Sequence, residues 1–245
     1  MALSINAKRD NPLDFVILNN YVKEEHPDNQ RFLKDCEKWF NYPITQTVNE
    51  KYHGSIYEVF TAKNILKTQY GSPCTQLLKR ELRDKEMREG DVIVVGFTVE
   101  EKDRLGRFVL NNEHRVWAPL IDAGITHDEC LGIIAKAGIE IPIMYKLGYN
   151  NNNCIGCVKG GKGYWNKIRR DFPDVFERMA NEEQRIGPNG YLFAPKEKGY
   201  PRISLRDLKP NEGRYLDEPS ISCGVICELT AEQFEAENDT QTNPS

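Results

Sequence analysis

At 245 residues the chain is long enough to bury a substantial core as one domain, or as one domain with a small appendage. Hydrophobic residues make up 39%, charged residues 29%, and mean hydropathy is -0.62; no apolar run approaches the ~18–20 residues needed to cross a bilayer. A formal net charge of -4, from 33 basic and 37 acidic residues, gives no global attraction for nucleic acid, so any phosphate-binding surface has to be local.

The amino terminus lacks the apolar stretch of a secretory signal, so the chain is expected in the cytoplasm, without membrane association. Phe15 to Asn20 (FVILNN) is an apolar run ending in polar turn residues, the pattern of a buried parallel strand that opens into a loop. Phe32, Cys36, Trp39 and Phe40 then share one helical face, and Ile44 to Val48 reads as a second strand. Tyr57 to Thr68 is helical until Gly71-Ser72-Pro73 breaks the chain. Cys74 to Arg88 is a charged helix, and Asp91 to Phe97 (DVIVVGF) is the clearest buried strand. Thr98 with Glu101, and Thr126 with Glu129, have the spacing of capping boxes that start helices. In the second of these, Cys130, Ile133, Ile134 and Ala137 share a face. Strands separated by helices predict an α/β fold with a mostly parallel sheet covered by helices on both faces.

After this core, expected over 1–148, the character changes. Asn150 to Asn153 is a run of four turn-favouring asparagines, followed by Cys154-Ile155-Gly156-Cys157 and a basic, glycine-rich stretch from Lys159 to Lys162. A helix follows from about Tyr164 to Arg185, so 149–230 reads as a cysteine-containing appendage and 231–245 as a disordered acidic tail.

Seven cysteines in a cytoplasmic chain are thiols, metal ligands or redox centres more often than a disulfide framework. Cys36 and Cys130 have apolar helix faces to pack into. Cys154 and Cys157 form a C-x-x-C on a turn, where two thiolates can converge on one metal or close a redox disulfide. Cys223 and Cys227 form a second pair about 65 residues on. Together the four predict a thiolate site for an iron-sulfur cluster or zinc.

These segments, in their order along the chain, resemble the phosphoadenosine phosphosulfate reductase family of the adenine nucleotide alpha hydrolase-like superfamily. The similarity rests on Val16 to Asn20 with Glu24 to Asn29 and Cys36 to Trp39; on Ser72 to Thr75 with Lys79 and Arg80; on Gly96 to Thr98 with Glu101, Asp103 and Arg104; on Tyr149 to Cys157 with Tyr164 and Trp165; and on Ser222-Cys223-Gly224. It implies a sulfonucleotide reductase-like or sulfurtransferase-like protein that takes an adenine nucleotide or sulfonucleotide. It also implies Cys74 as an alternative metal ligand and Cys223 as an accessible nucleophile, a role incompatible with Cys223 being a ligand. Ligands of open α/β sheets lie beyond the carboxyl ends of the strands, which singles out Asn19, Asn20 and His26 on one side and Gly96, Thr98 and Arg104 on the other. Lys79, Arg80 and Lys167 would supply charge for phosphate or sulfate.

One family feature is missing. Only Met1 to Asp14 precede the strand that resembles the family's second, and there is no Ser-Gly-Gly loop whose backbone amides would cradle phosphate oxygens. Either the chain is a shortened version of a longer one, or a homo-oligomer or partner protein completes the sheet, or the fold closes without the element. Two other readings therefore stand beside the enzyme: a catalytically inactive nucleotide-binding or scaffold protein, and a subunit of a nucleic-acid sulfur-modification system, against which the acidic balance counts.

Overall fold

The structure, a computed structural model, describes residues 15–68, 71–194, 202–219 and 221. They fall into two compact units. The first comprises 15–20, 27–47 and 83–149; the second comprises 21–26, 48–68, 71–82, 150–194, 202–219 and 221. The chain is α/β, with short parallel strand pairs and many helices.

In the first unit, β1 (Ile17–Asn20) runs parallel to β2 (Ile44–Thr47), with Ile17 opposite Ile44 and Asn20 opposite Thr47. The connection between them is α1 (Asp28–Phe40), which buries Cys36 on its apolar face and ends at Asn41 in the left-handed conformation. Burial pushes the Cys36 thiol up to about 11, so it behaves as a small hydrophobe, as its helical position suggests. Asp28 in the first turn of α1 pairs with Arg31 at 2.6 Å and also accepts a hydrogen bond from the Ile143 N–H at 3.0 Å.

The same unit contains a second strand–helix–strand piece. Here β3 (Val92–Val94) lies parallel to β4 (Arg115–Trp117), with α4 (Lys102–Leu110) between them in sequence. Among the described residues parallel pairing is confined to these two two-stranded pieces. Both capping boxes form as their spacing predicts, at Thr98 with Glu101 and at Thr126 with Glu129, the latter starting α5 (His127–Lys136). Cys130 on α5 is half-buried, since the apolar face of that helix is only partly covered.

The second unit is helical. Its members are α2 (Ile56–Lys63), the beginning of a continuous helical stretch over 73–86 that we call α3, α6 (Lys162–Asp171) and α7 (Pro173–Ile186). One long helix over Tyr164 to Arg185 is expected from the pattern, but Pro173 divides it, because proline cannot continue the hydrogen-bond ladder and restricts Phe172 before it. Trp165, Ile168, Met179 and Ala180 are fully buried and form the packed centre with Phe60, Leu66 and Leu205. Residues 76–80 of α3 make a π-helical turn, a wider and rarer winding often found at functional sites. No helix of the described residues is long and apolar enough to cross a membrane.

Candidate functional site: the buried cysteine turn

The second unit is organised around Cys154-Ile155-Gly156-Cys157. Both cysteines are buried, and Gly156 takes φ +78°, a left-handed backbone that glycine adopts without strain. A Cβ at Gly156 would meet Val175 Cγ1 at 2.5 Å and the Trp165 ring at 3.3 Å. Gly156→Ala is therefore expected to cost about 2–3 kcal/mol, from the backbone conformation and overpacking together, measurable as a lower midpoint in urea unfolding.

The Tyr164 hydroxyl pins the turn. It accepts hydrogen bonds from the Gly156 and Cys157 N–H groups at 2.9 and 3.0 Å, and donates to the Cys154 carbonyl at 3.3 Å. From the other side, the Glu24 carbonyl accepts from the Ile155 N–H at 2.9 Å. The Glu24 carboxylate meanwhile accepts from Ser55 Oγ at 2.7 Å and from the Ile56 N–H at 2.9 Å, so it closes the amino-terminal end of α2.

Charged groups converge beside the turn. Burial pushes the Lys67 ammonium down to about 8, helped by the positive charges of Arg202 and Lys159 and opposed by Cys157 and Glu183. Glu183 is fully buried, and both its oxygens are used: one accepts from the Leu192 N–H at 2.7 Å, the other from the Leu205 N–H at 2.5 Å. Burial outweighs these two bonds and raises its carboxyl to about 7. The Tyr57 hydroxyl lies within electrostatic range of Cys154 and is pushed up by burial, while the Arg178 guanidinium sits 3.6 Å over its ring.

The sequence-predicted residues are distributed between the units. At the carboxyl ends of β1 and β2, Asn19 Oδ1 accepts from Gln46 Nε2 at 3.0 Å and Asn20 Oδ1 accepts from Thr47 Oγ1 at 2.8 Å. Also in the first unit, Gly96, Thr98 and Arg104 gather after β3. Arg104 pairs with Glu101 of the capping box and lies 4.5 Å over the Phe97 ring, with its Nε buried and lacking a hydrogen-bond partner among the described residues.

His26, Lys79, Arg80 and Lys167 belong to the second unit. His26 is half-buried in the loop before α1, Lys79 reaches Glu25 at 3.3 Å, and Lys167 reaches Asp171 at 2.8 Å; Lys79 and Arg80 lie on the π-helical turn. Cys74 is half-buried at the start of α3. Cys223 and Cys227, like the acidic tail, lie outside the described residues. Among the described residues no three histidine, cysteine, aspartate or glutamate side chains come together as a metal site.

Four residues of this neighbourhood escaped sequence reasoning. Glu183 had a signal, because with Phe176, Met179 and Ala180 it lies on the helical spacing of the buried face of α7. Glu24 figures in the sequence only within the Glu24 to Asn29 resemblance, and in the structure it is a brace. Lys67, and Glu218 whose contacts are described below, have no local signal. Compared with known proteins, the chain matches no family model, no curated protein and no solved structure.

Proposed function

We propose that the chain is a sulfonucleotide reductase-like or sulfurtransferase-like protein of the cytoplasm, with an adenine nucleotide site and an iron-sulfur cluster or zinc held by Cys154, Cys157, Cys223 and Cys227. The two parallel strand pairs belong, in this reading, to one sheet with helices on both faces. The observation that carries it is the anchoring of the chain leading to the second cysteine pair. Asn153 Nδ2 donates to the Ile221 carbonyl at 2.7 Å, so the residue before Cys154 holds the chain two residues before Cys223. A chain anchored at this point is what a ligand set joining Cys154 and Cys157 to the pair that follows Ile221 in sequence requires. Thiolates are soft ligands suited to zinc or iron, and the buried turn excludes water from them. The bound metal would staple the second unit; an iron-sulfur cluster would add one-electron chemistry.

A second reading, an inactive nucleotide-binding or scaffold protein, is favoured by one observation. The glycine-rich stretch before α6 has its helix-start donors engaged by Glu218, and Lys162 pairs with Glu212 at 3.3 Å, so these groups are committed within the chain.

Elemental analysis and a visible spectrum of protein purified without oxygen test the metal, and binding of labelled adenine nucleotides separates the two readings. Cys154→Ser is expected to release the metal and lower the unfolding midpoint, because metal-binding energy is folding energy. Unchanged metal content in that variant would refute the ligand set. Salt-dependent retention on DNA or tRNA would instead point to the nucleic-acid role.

A further inference from the structure

Residues 209–219 form a strap that crosses the segment from Asn150 to Lys167. Its only regular element is a single 3-10 turn at Tyr215–Asp217. None of its residues is buried, and Leu216 is 73% exposed, so apolar burial does not hold it down. What holds it is a set of polar contacts to α6 and to Asn150, and Tyr164 of α6 in turn holds the cysteine turn.

The Glu218 carboxylate accepts from the Gly163 N–H at 2.6 Å and from the Tyr164 N–H at 3.0 Å. The Tyr215 hydroxyl accepts from the Asn150 N–H at 2.6 Å, and the Tyr215 ring lies 6.2 Å from that of Tyr164. Asn166 Nδ2 donates to the carbonyls of Lys209 and Glu212 at 2.8 and 2.7 Å. Beyond the strap, Asn153 fixes the Ile221 carbonyl.

Gly161 and Gly163 are explained by this contact. A Cβ on Gly161 would meet the Glu218 carboxyl carbon at 2.6 Å, and one on Gly163 would meet the Tyr215 nitrogen at 2.4 Å. Their lack of side chains lets the strap approach the backbone of α6.

We propose that the strap is a latched cover over the Cys154–Cys157 turn, with Glu218 as the latch. Glu218 holds the Tyr164 backbone, and Tyr164 holds the turn, so release of the carboxylate loosens both. A segment held by polar contacts, without buried side chains of its own, opens locally at far lower cost than the packed centre beneath it. Opening exposes the turn while α7 stays folded. The proposal does not depend on whether the cysteines bind metal.

Peptide-resolved hydrogen exchange on the full-length chain tests it. In Glu218→Ala, amides of 150–157 are expected to exchange at least 10-fold faster than in wild type, with those of α7 unchanged. Glu218→Gln, which keeps a weaker acceptor, falls between, and Asn153→Ala gives the same pattern by removing the pin at Ile221. With chelator present for all proteins, Cys154 and Cys157 alkylate with iodoacetamide several-fold faster in Glu218→Ala, while Cys36 keeps its wild-type rate. Unchanged exchange at 150–157, unchanged alkylation of Cys154 and Cys157, or a parallel rise at α7 or Cys36 overturns the cover.

Discussion

Replacing Glu183 with alanine is expected to lower the unfolding free energy by about 4 kcal/mol at pH 5. Two buried N–H groups, those of Leu192 and Leu205, lose their acceptor, at about 1–3 kcal/mol each, and a cavity remains in the packed centre. Glu183→Gln keeps one oxygen acceptor but turns an NH2 donor toward the other N–H, so at that pH it falls between alanine and wild type. The pH dependence separates the carboxyl from its shape. Its folded value of about 7 lies above the 4.5 of an ordinary glutamate, so between these values the folded state holds a proton that the unfolded state has released. The stabilisation is fully present below about 4.5 and is lost as pH rises through about 7, a loss on the order of 2–3 kcal/mol for this group. Lys67 and Asp207 are the charged groups near it. Lys67 titrates with the opposite slope, adding stability as pH rises from about 8 toward its ordinary 10.5, so the window to examine is pH 5 to 7.5. Chemical denaturation across that window should show a falling midpoint in wild type and a flatter profile in Glu183→Gln; identical profiles would show that Glu183 titrates as an ordinary carboxyl.

The second large effect is expected at Tyr164. Removing one oxygen in Tyr164→Phe leaves the N–H groups of Gly156 and Cys157 and the Cys154 carbonyl without this partner in a buried site, at a cost of about 3 kcal/mol. Tyr57→Phe is the matched control, since the buried Tyr57 hydroxyl has no hydrogen-bond partner among the described residues and its removal should leave stability unchanged or raise it. Equal urea midpoints for the two variants would mean that the Tyr164 hydroxyl contributes nothing to the turn.

How much of this is visible in the sequence depends on the range of the interaction. Strands at Phe15–Asn20 and Asp91–Phe97 are legible because apolar runs bounded by turn residues are local signals, although their paired lengths are shorter, at Ile17–Asn20 and Val92–Val94. The capping boxes at Thr98 and Thr126 are legible because both partners lie within one helical turn. Strand β4 is missed, since three residues of mixed polarity carry no periodicity. The C-x-x-C turn is legible as a spacing, but what surrounds it is not. Glu24 reaches Ile155 from 131 residues away, and Glu218 reaches Tyr164, which holds the turn, from 54 residues away. The basic glycine-rich stretch is a case where composition suggests phosphate contacts and the structure supplies an internal carboxylate, which needs the same close backbone approach.

Glu24 grips two things at once: through its side chain the first turn of α2, through its main chain the middle of the cysteine turn. It acts as a hinge pin common to a helix and a thiol pair. Displacement of the 21–26 loop is therefore felt at Ile155 through a single backbone hydrogen bond, with no side chain in between.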